Sequence, residues 1–261
     1  MDPSPLVHPS SAAPAPVQSG TIHDAVSKNP HEVADIVANL AWTPHDEDEL
    51  VEYLDRCAGL ATRTIGGADH AGITGHTDTG APVTIAHTDK RTLVIDQSQY
   101  AAGDGPCLHA MRSGDLVRVD VATSRARWPQ FTADSEHAGV RSFLAAPLGT
   151  GSTALGALNL YSDSPDGFGP DDDPLLLLLV EHATRAITDY RLLTAAATHT
   201  RQLQEAMATR APIEQAKGIL MALHHCDSDT AFTMLRTESQ NTNTKLNTVA
   251  RAFITAHTGQ A

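Results

Sequence analysis

Arg236, Gln240 and Asn243 lie four and three residues apart, a spacing that on one helix puts a guanidinium and two carboxamides on a single face. Such groups can stack on, or hydrogen-bond to, the edges of unpaired nucleobases, which a hairpin loop presents and the deep groove of an RNA duplex hides. The same stripe serves equally as the solvated side of a packed helix. Thr233 extends that face. Two lysines add charge nearby in sequence. Lys217 suits a phosphate contact, or a role in which its stem covers apolar surface while the ammonium reaches water. Lys245 opens a helix, where its charge opposes the dipole, so a phosphate contact explains it better than helix stabilisation does.

Other reactive groups are sparser. Cys107 follows GDGP near a helix start, where a thiol can have a lowered pKa and sense oxidants. The competing reading is a small buried side chain, since no basic neighbour or second cysteine is near in sequence. Gly103-Asp104-Gly105 lacks the Lys and Ser/Thr of a phosphate loop, and Pro106 removes an amide donor. His224, His225 and Cys226 are three zinc-type ligands in a row, but neighbouring helical residues point apart, so no metal site is expected from them alone. No Gly-x-Ser-x-Gly, paired-carboxylate or nucleotide motif occurs. The expectation is no catalytic residue and no metal, with any cofactor unknown.

The elements that must position these groups fall into two parts. MDPSPLVHPSSAAPAPVQSG is rich in Pro, Ser and Ala without apolar period, so residues 1–30 read as a disordered leader. Val33, Ile36, Val37 and Leu40 mark a short amphipathic helix. DEDELVEYLDRCAGLATRTI gives a longer one, with acids at its start and Leu50, Tyr53, Leu54, Cys57, Leu60 and Ala61 as its stripe. Six strand-like runs follow: HAGITGH, PVTIAHT, RTLVI, LVRVD, SFLAAPL and ALGALNLYS. A short helix from Pro106 to Gly114 interrupts them, and a helix after GPDDDP closes the part. An α+β domain over 31–195, an antiparallel sheet flanked by helices, is the expected fold.

Residues 196–257 read as an all-α bundle of three helices. The first carries Ile213, Ala216, Leu220 and Leu223 as its apolar stripe. Gly218 allows close helix packing, and Pro212 either restarts or kinks the helix. Asp227 or Ser228 caps the second, with Ala231, Phe232 and Leu235 inward. The third buries Leu246, Val249, Ala250 and Phe253. Ahead of the bundle, Leu192, Ala196, His199, Leu203, Ala206, Arg210 and Ile213 alternate by four and three as a weak coiled-coil seam.

Charge divides along the same line. The 261 residues carry −13 overall, yet residues 199–261 hold 6 of the 18 Lys/Arg and 5 of the 31 Asp/Glu, leaving +1 there and −14 before it. The whole molecule is not built for non-specific attraction to nucleic acid or an anionic membrane. Three dispersed cysteines argue against a disulfide framework, and no apolar run approaches a membrane span. A cytoplasmic setting is the expectation.

Two series of motifs look familiar. AKGILM at 216–221, followed by MLRTESQNTNTKLNTVA at 234–250, resembles the ANTAR domain of bacterial transcription antiterminators. GADHAGITGH, GDGPCLHAMRSGDLVRVD, RWPQF, GVRSFLAAPL and LGALNLYS resemble the GAF sensor domain that often precedes it. The resemblance implies a homodimeric, signal-responsive regulator that binds paired stem-loops in nascent mRNA and promotes antitermination. It makes Lys217, Arg236, Gln240, Asn243 and Lys245 the candidate RNA contacts, and it leaves the GAF-like part open to a small-molecule ligand, of a kind the resemblance does not name, with Cys107 as the candidate sensor residue on its own position at a helix start. The alternatives are a sensor whose helical bundle binds a protein partner, and a thiol enzyme on the GAF fold.

Overall fold

The computed structural model describes residues 19–77, 79–150 and 153–258. In chain order the elements are α1 (Ser19–Lys28), α2 (Pro30–Asn39), α3 (Glu47–Thr64), β1 (His70–His76), β2 (Pro82–His87), α4 (Lys90–Ala102), α5 (Pro106–Ser113), β3 (Val117–Asp120), α6 (Pro129–Ala138), β4 (Ser142–Thr150), β5 (Thr153–Ser162), α7 (Asp173–His224), α8 (Ser228–Asn241) and α9 (Leu246–Thr258). Short 3₁₀ turns stand at Val121–Ala126 and Pro170–Asp172. The chain divides into two compact units between Arg191 and Leu192, inside α7.

Local chemistry sets most of these boundaries. Asp46 caps α3 by accepting from the backbone N–H of Glu49 at 2.8 Å. Pro106 starts α5, and Gly114 ends it at φ +77°, in the left-handed region that glycine enters without strain. One expected strand is a helix: RTLVI forms the first turns of α4. Asp89 supplies the reason, since its carboxylate caps the backbone N–H of Arg91 at 2.7 Å and commits the run to helix despite its β-branched residues. Of the residues expected to form a disordered leader, Ser19–Lys28 are helical, and residues 1–18 lie outside the described residues.

The first unit is three layers. Its sheet is antiparallel in the order β2-β1-β5-β4-β3. Both faces are covered, which is why β4 and β5 read as nearly continuous apolar runs. On one face α2, α3 and α7 bring Ile36, Leu54, Leu60, Leu176 and Leu179 against Ile73, Leu144, Leu158 and Leu160. On the other, α4, α5 and α6 bring Ile95, Cys107 and Phe131 against Phe143, Ala145 and Tyr161. The Phe131–Phe143–Tyr161 rings meet edge to face, with centroids 5.2 and 5.0 Å apart.

The second unit is helical. Ala216 and Leu220 of α7, Ala231 and Leu235 of α8, and Ala250 of α9 make a small buried core, with Ile213, Leu246, Val249 and Phe253 partly covered around it. Three expectations about it are corrected. Leu223 is 54 % exposed and Phe232 37 % exposed, so neither belongs to the core. α7 does not restart at Pro212 but continues through it. Gly218 meets open space: a Cβ built on it has no neighbour within 4 Å, so close packing does not explain it. Gly218→Ala is therefore expected to stabilise this unit by about 1 kcal/mol, the helix-propensity difference. Urea unfolding followed by circular dichroism checks this, and a loss of stability would show that Gly218 serves a contact or a bend.

Candidate functional site

In the helical unit, Arg236 and Gln240 stand one turn apart on the exposed side of α8, opposite the buried Ala231 and Leu235. Among the described residues neither side chain has an ion pair or a hydrogen bond, so both are available to a ligand. The α8–α9 turn follows directly. Its geometry is held by Ser239, whose hydroxyl donates to the Thr244 carbonyl at 2.6 Å and whose own carbonyl accepts from Thr244 N–H at 3.0 Å.

Asn243 does not share the helix face. α8 ends at Asn241, and Asn243 takes φ +48° in the turn, its N–H donating to the Gln240 carbonyl at 3.3 Å. Asparagine tolerates that left-handed conformation better than other residues with a Cβ, which explains the residue type without any ligand. Its side chain is nevertheless exposed, as is that of Lys245, whose carbonyl receives the first N–H groups of α9. Arg236, Gln240, Asn243 and Lys245 thus follow one another along the exposed end of α8 and into α9. Lys217 is not one of this series. Its side chain is only 14 % exposed and its ammonium lies 2.9 Å from Glu214, one turn back on α7, so it behaves as the covering lysine with its charge already paired.

The sheet unit holds a second cluster that sequence reading did not find. Asp96 of α4 is fully buried. One carboxylate oxygen accepts from Tyr161 at 2.5 Å and lies 3.4 and 3.5 Å from the amide nitrogens of Gln99 and Asn159; the other accepts from Thr84 at 3.0 Å. The Tyr100 hydroxyl joins Thr84 and Thr74, at 2.9 and 2.8 Å, and the Asn159 amide donates to Thr74 at 3.0 Å. Burial raises the Asp96 pKa to about 6, against the lowering effect of its Tyr161 and Thr84 hydrogen bonds. The Asn159 carbonyl oxygen is buried with no hydrogen-bond partner among the described residues.

Cys107 sits at the edge of this network, completely buried. Its thiol lies 3.4 Å from Thr74 and 3.3 Å from the Asn159 amide, and its backbone N–H donates to Gln99 at 2.9 Å. Burial, aided by the nearby Asp96 charge, pushes the thiol up to about 12. Of the two readings of Cys107, this favours the small buried side chain over the oxidant sensor: the helix start is there, but the desolvation of the thiolate outweighs it. GDGP proves structural too, since the Asp104 carboxylate is held by Arg112 and by the Trp128 indole N–H. Among the described residues no group of three or more His, Cys, Asp or Glu is placed to hold a metal ion, and no helix is long and apolar enough to cross a membrane.

Fold and sites together define a class: a covered antiparallel sheet with a buried polar interior, followed by a three-helix head whose exposed side carries unpaired polar groups. Sequence comparison makes this specific. Residues 47–188 match the GAF domain and residues 201–254 match the ANTAR domain. The chain belongs to the GAF family and carries an ANTAR domain after it. GAF domains are sensor domains, and ANTAR domains are RNA-binding antiterminator modules. Similar solved structures include free methionine-R-sulfoxide reductase from Neisseria meningitidis in complex with its substrate, 20 % identical, covering 72 % of this chain and 98 % of its own, at a TM-score of 0.48. Another is the GAF domain of a phosphoenolpyruvate-protein phosphotransferase from Coxiella burnetii, 14 % identical, covering 67 % of this chain and 98 % of its own, also at 0.48. No curated protein matches the chain.

Proposed function

We propose that this protein is a signal-responsive, non-enzymatic regulator whose ANTAR head binds paired stem-loops in nascent mRNA and promotes transcription antitermination. The observation that carries this is the pair Arg236 and Gln240, uncommitted and exposed one turn apart on α8 of an ANTAR unit. A guanidinium and a carboxamide so placed match the hydrogen-bonding edges of bases splayed from a loop. Asn243 and Lys245 extend the surface, Lys245 toward phosphate. A raised thiol pKa at Cys107 disfavours a thiol enzyme, because the thiolate is the nucleophile.

The sensor's signal reaches the head along α7, whose residues belong to both units. Leu192, Leu203 and Met207 are exposed on α7, and a second copy of the chain pairing there would present two heads to two stem-loops, so that two weak contacts act as one tight contact. Exposed Phe232, Met234 and Leu223 favour the alternative of a protein partner on the head. An RNA with two short stem-loops, compared with the same stems bearing scrambled loops, separates the readings by gel shift: binding that follows the loops supports the RNA reading, and indifference to the loops in every state of the sensor removes it.

A further inference from the structure

A proline inside a helix has no N–H, so the carbonyl four residues earlier loses its helical donor. For Pro212 that carbonyl belongs to Ala208. The structure supplies a replacement: Nη2 of Arg251, from α9, donates to the Ala208 oxygen at 3.2 Å. Arg251 has no acidic partner among the described residues, so no ion pair draws its guanidinium away from that carbonyl. Pro212 itself is buried. Residues 199–211, which precede it, are exposed throughout, so little packing fixes their course.

We infer that Arg251 is a positioning residue for α7: its guanidinium closes the hydrogen-bond gap that Pro212 opens and holds the helix unbroken through the proline. Prolines otherwise kink helices at this point, because the ring crowds the carbonyl four residues back and leaves it without its helical donor. The charge on Arg251 strengthens the contact beyond that of a neutral donor. With the bond made, the turn around Ala208 is tied to α9 and hence to the small core that Ala250 enters beside it. With it broken, that turn is free to open. Arg251, one of six Lys/Arg in residues 199–261, is then spent on a backbone carbonyl and is not part of the RNA surface. That last consequence rests on the RNA reading; the positioning role does not.

The test is hydrogen–deuterium exchange on the full chain, read at amides between residues 205 and 216, with α3 as internal reference. Arg251→Met should accelerate exchange there roughly tenfold, as expected for local opening when one charge-assisted hydrogen bond is lost. Arg251→Lys, which keeps a cationic donor, should recover part of the protection. Pro212→Ala restores the N–H that the Ala208 carbonyl lacks, so in that background Arg251→Met should change exchange little. That rescue is specific to the hydrogen bond, because a residue that merely packs gains nothing from a new backbone donor. Unchanged exchange in Arg251→Met overturns the inference, and so does equal acceleration with and without Pro212. Neither result depends on whether the chain binds RNA.

Discussion

Arg236→Ala is expected to lower affinity for an RNA of two stem-loops by roughly ten- to a hundredfold, corresponding to the about 1–3 kcal/mol that one stacked or edge-bonded base contributes. The fold should not change, because the Arg236 side chain is exposed and touches no partner among the described residues. Circular dichroism and thermal melting of the variant are therefore expected to overlay those of the parent. Adding Gln240→Ala should deepen the loss less than additively if both side chains read the same base. Salt separates this from a phosphate role. Removing a base contact weakens binding at all salt concentrations by a similar factor, whereas Lys245→Ala should reduce the slope of log affinity on log salt by about 0.7, one single-strand phosphate contact. Unaltered affinity in the double variant would place the RNA surface elsewhere on the head.

The second large effect belongs to the sensor interior. The Asp96 pKa is about 6 in the folded chain and 3.8 is its ordinary value. A carboxyl whose pKa is raised by folding binds its proton more tightly in the native state. Its stabilising contribution is thus complete below pH 3.8 and is lost as pH rises through 6. Between pH 7.5 and pH 5 the sensor unit is expected to gain stability on the order of 1 kcal/mol from this group alone. Asp96→Asn keeps the shape and removes the titration, so the difference in pH dependence between parent and variant isolates the effect. Denaturant unfolding followed by near-ultraviolet circular dichroism, where Tyr161 and Tyr100 of the network and the Phe131–Phe143 stack report, measures it. Parallel pH profiles for parent and variant would show that Asp96 does not ionise in this window.

What the sequence made legible, and what it hid, follows from how local each signal is. Caps are local: Asp46 and Asp227 accept from backbone N–H groups three residues on, and both helix starts can be read directly. The five strands are legible for the same reason, each being a short apolar run between turn residues. RTLVI misleads because its β-branched residues outvote a single cap, Asp89, at the level of composition. The Asp96 network is illegible because its members come from β1, β2, α4 and β5, and only the sheet register and the helix above it bring them together. Once RTLVI is read as a strand, Asp96 has no reason to face inward.

The candidate RNA surface divides in the same way. Arg236 and Gln240 follow from helical spacing alone, and the structure places both on the exposed side of α8. Asn243 required knowledge of where α8 ends, and the left-handed turn that ends it is a property of the α8–α9 junction. Lys217 required knowledge of its burial, which depends on how the three helices pack. Pro212 posed a question within its own helix whose answer lies 39 residues later, at Arg251.

Loop-dependent RNA binding by the full chain tests the central claim most directly. Two stem-loops with intact loops should be retained in a gel shift, the same stems with scrambled loops should not, and Arg236→Ala should abolish the distinction without unfolding the head. Equal binding of intact and scrambled loops, or none to either under any ligand or redox state of the sensor, would contradict it.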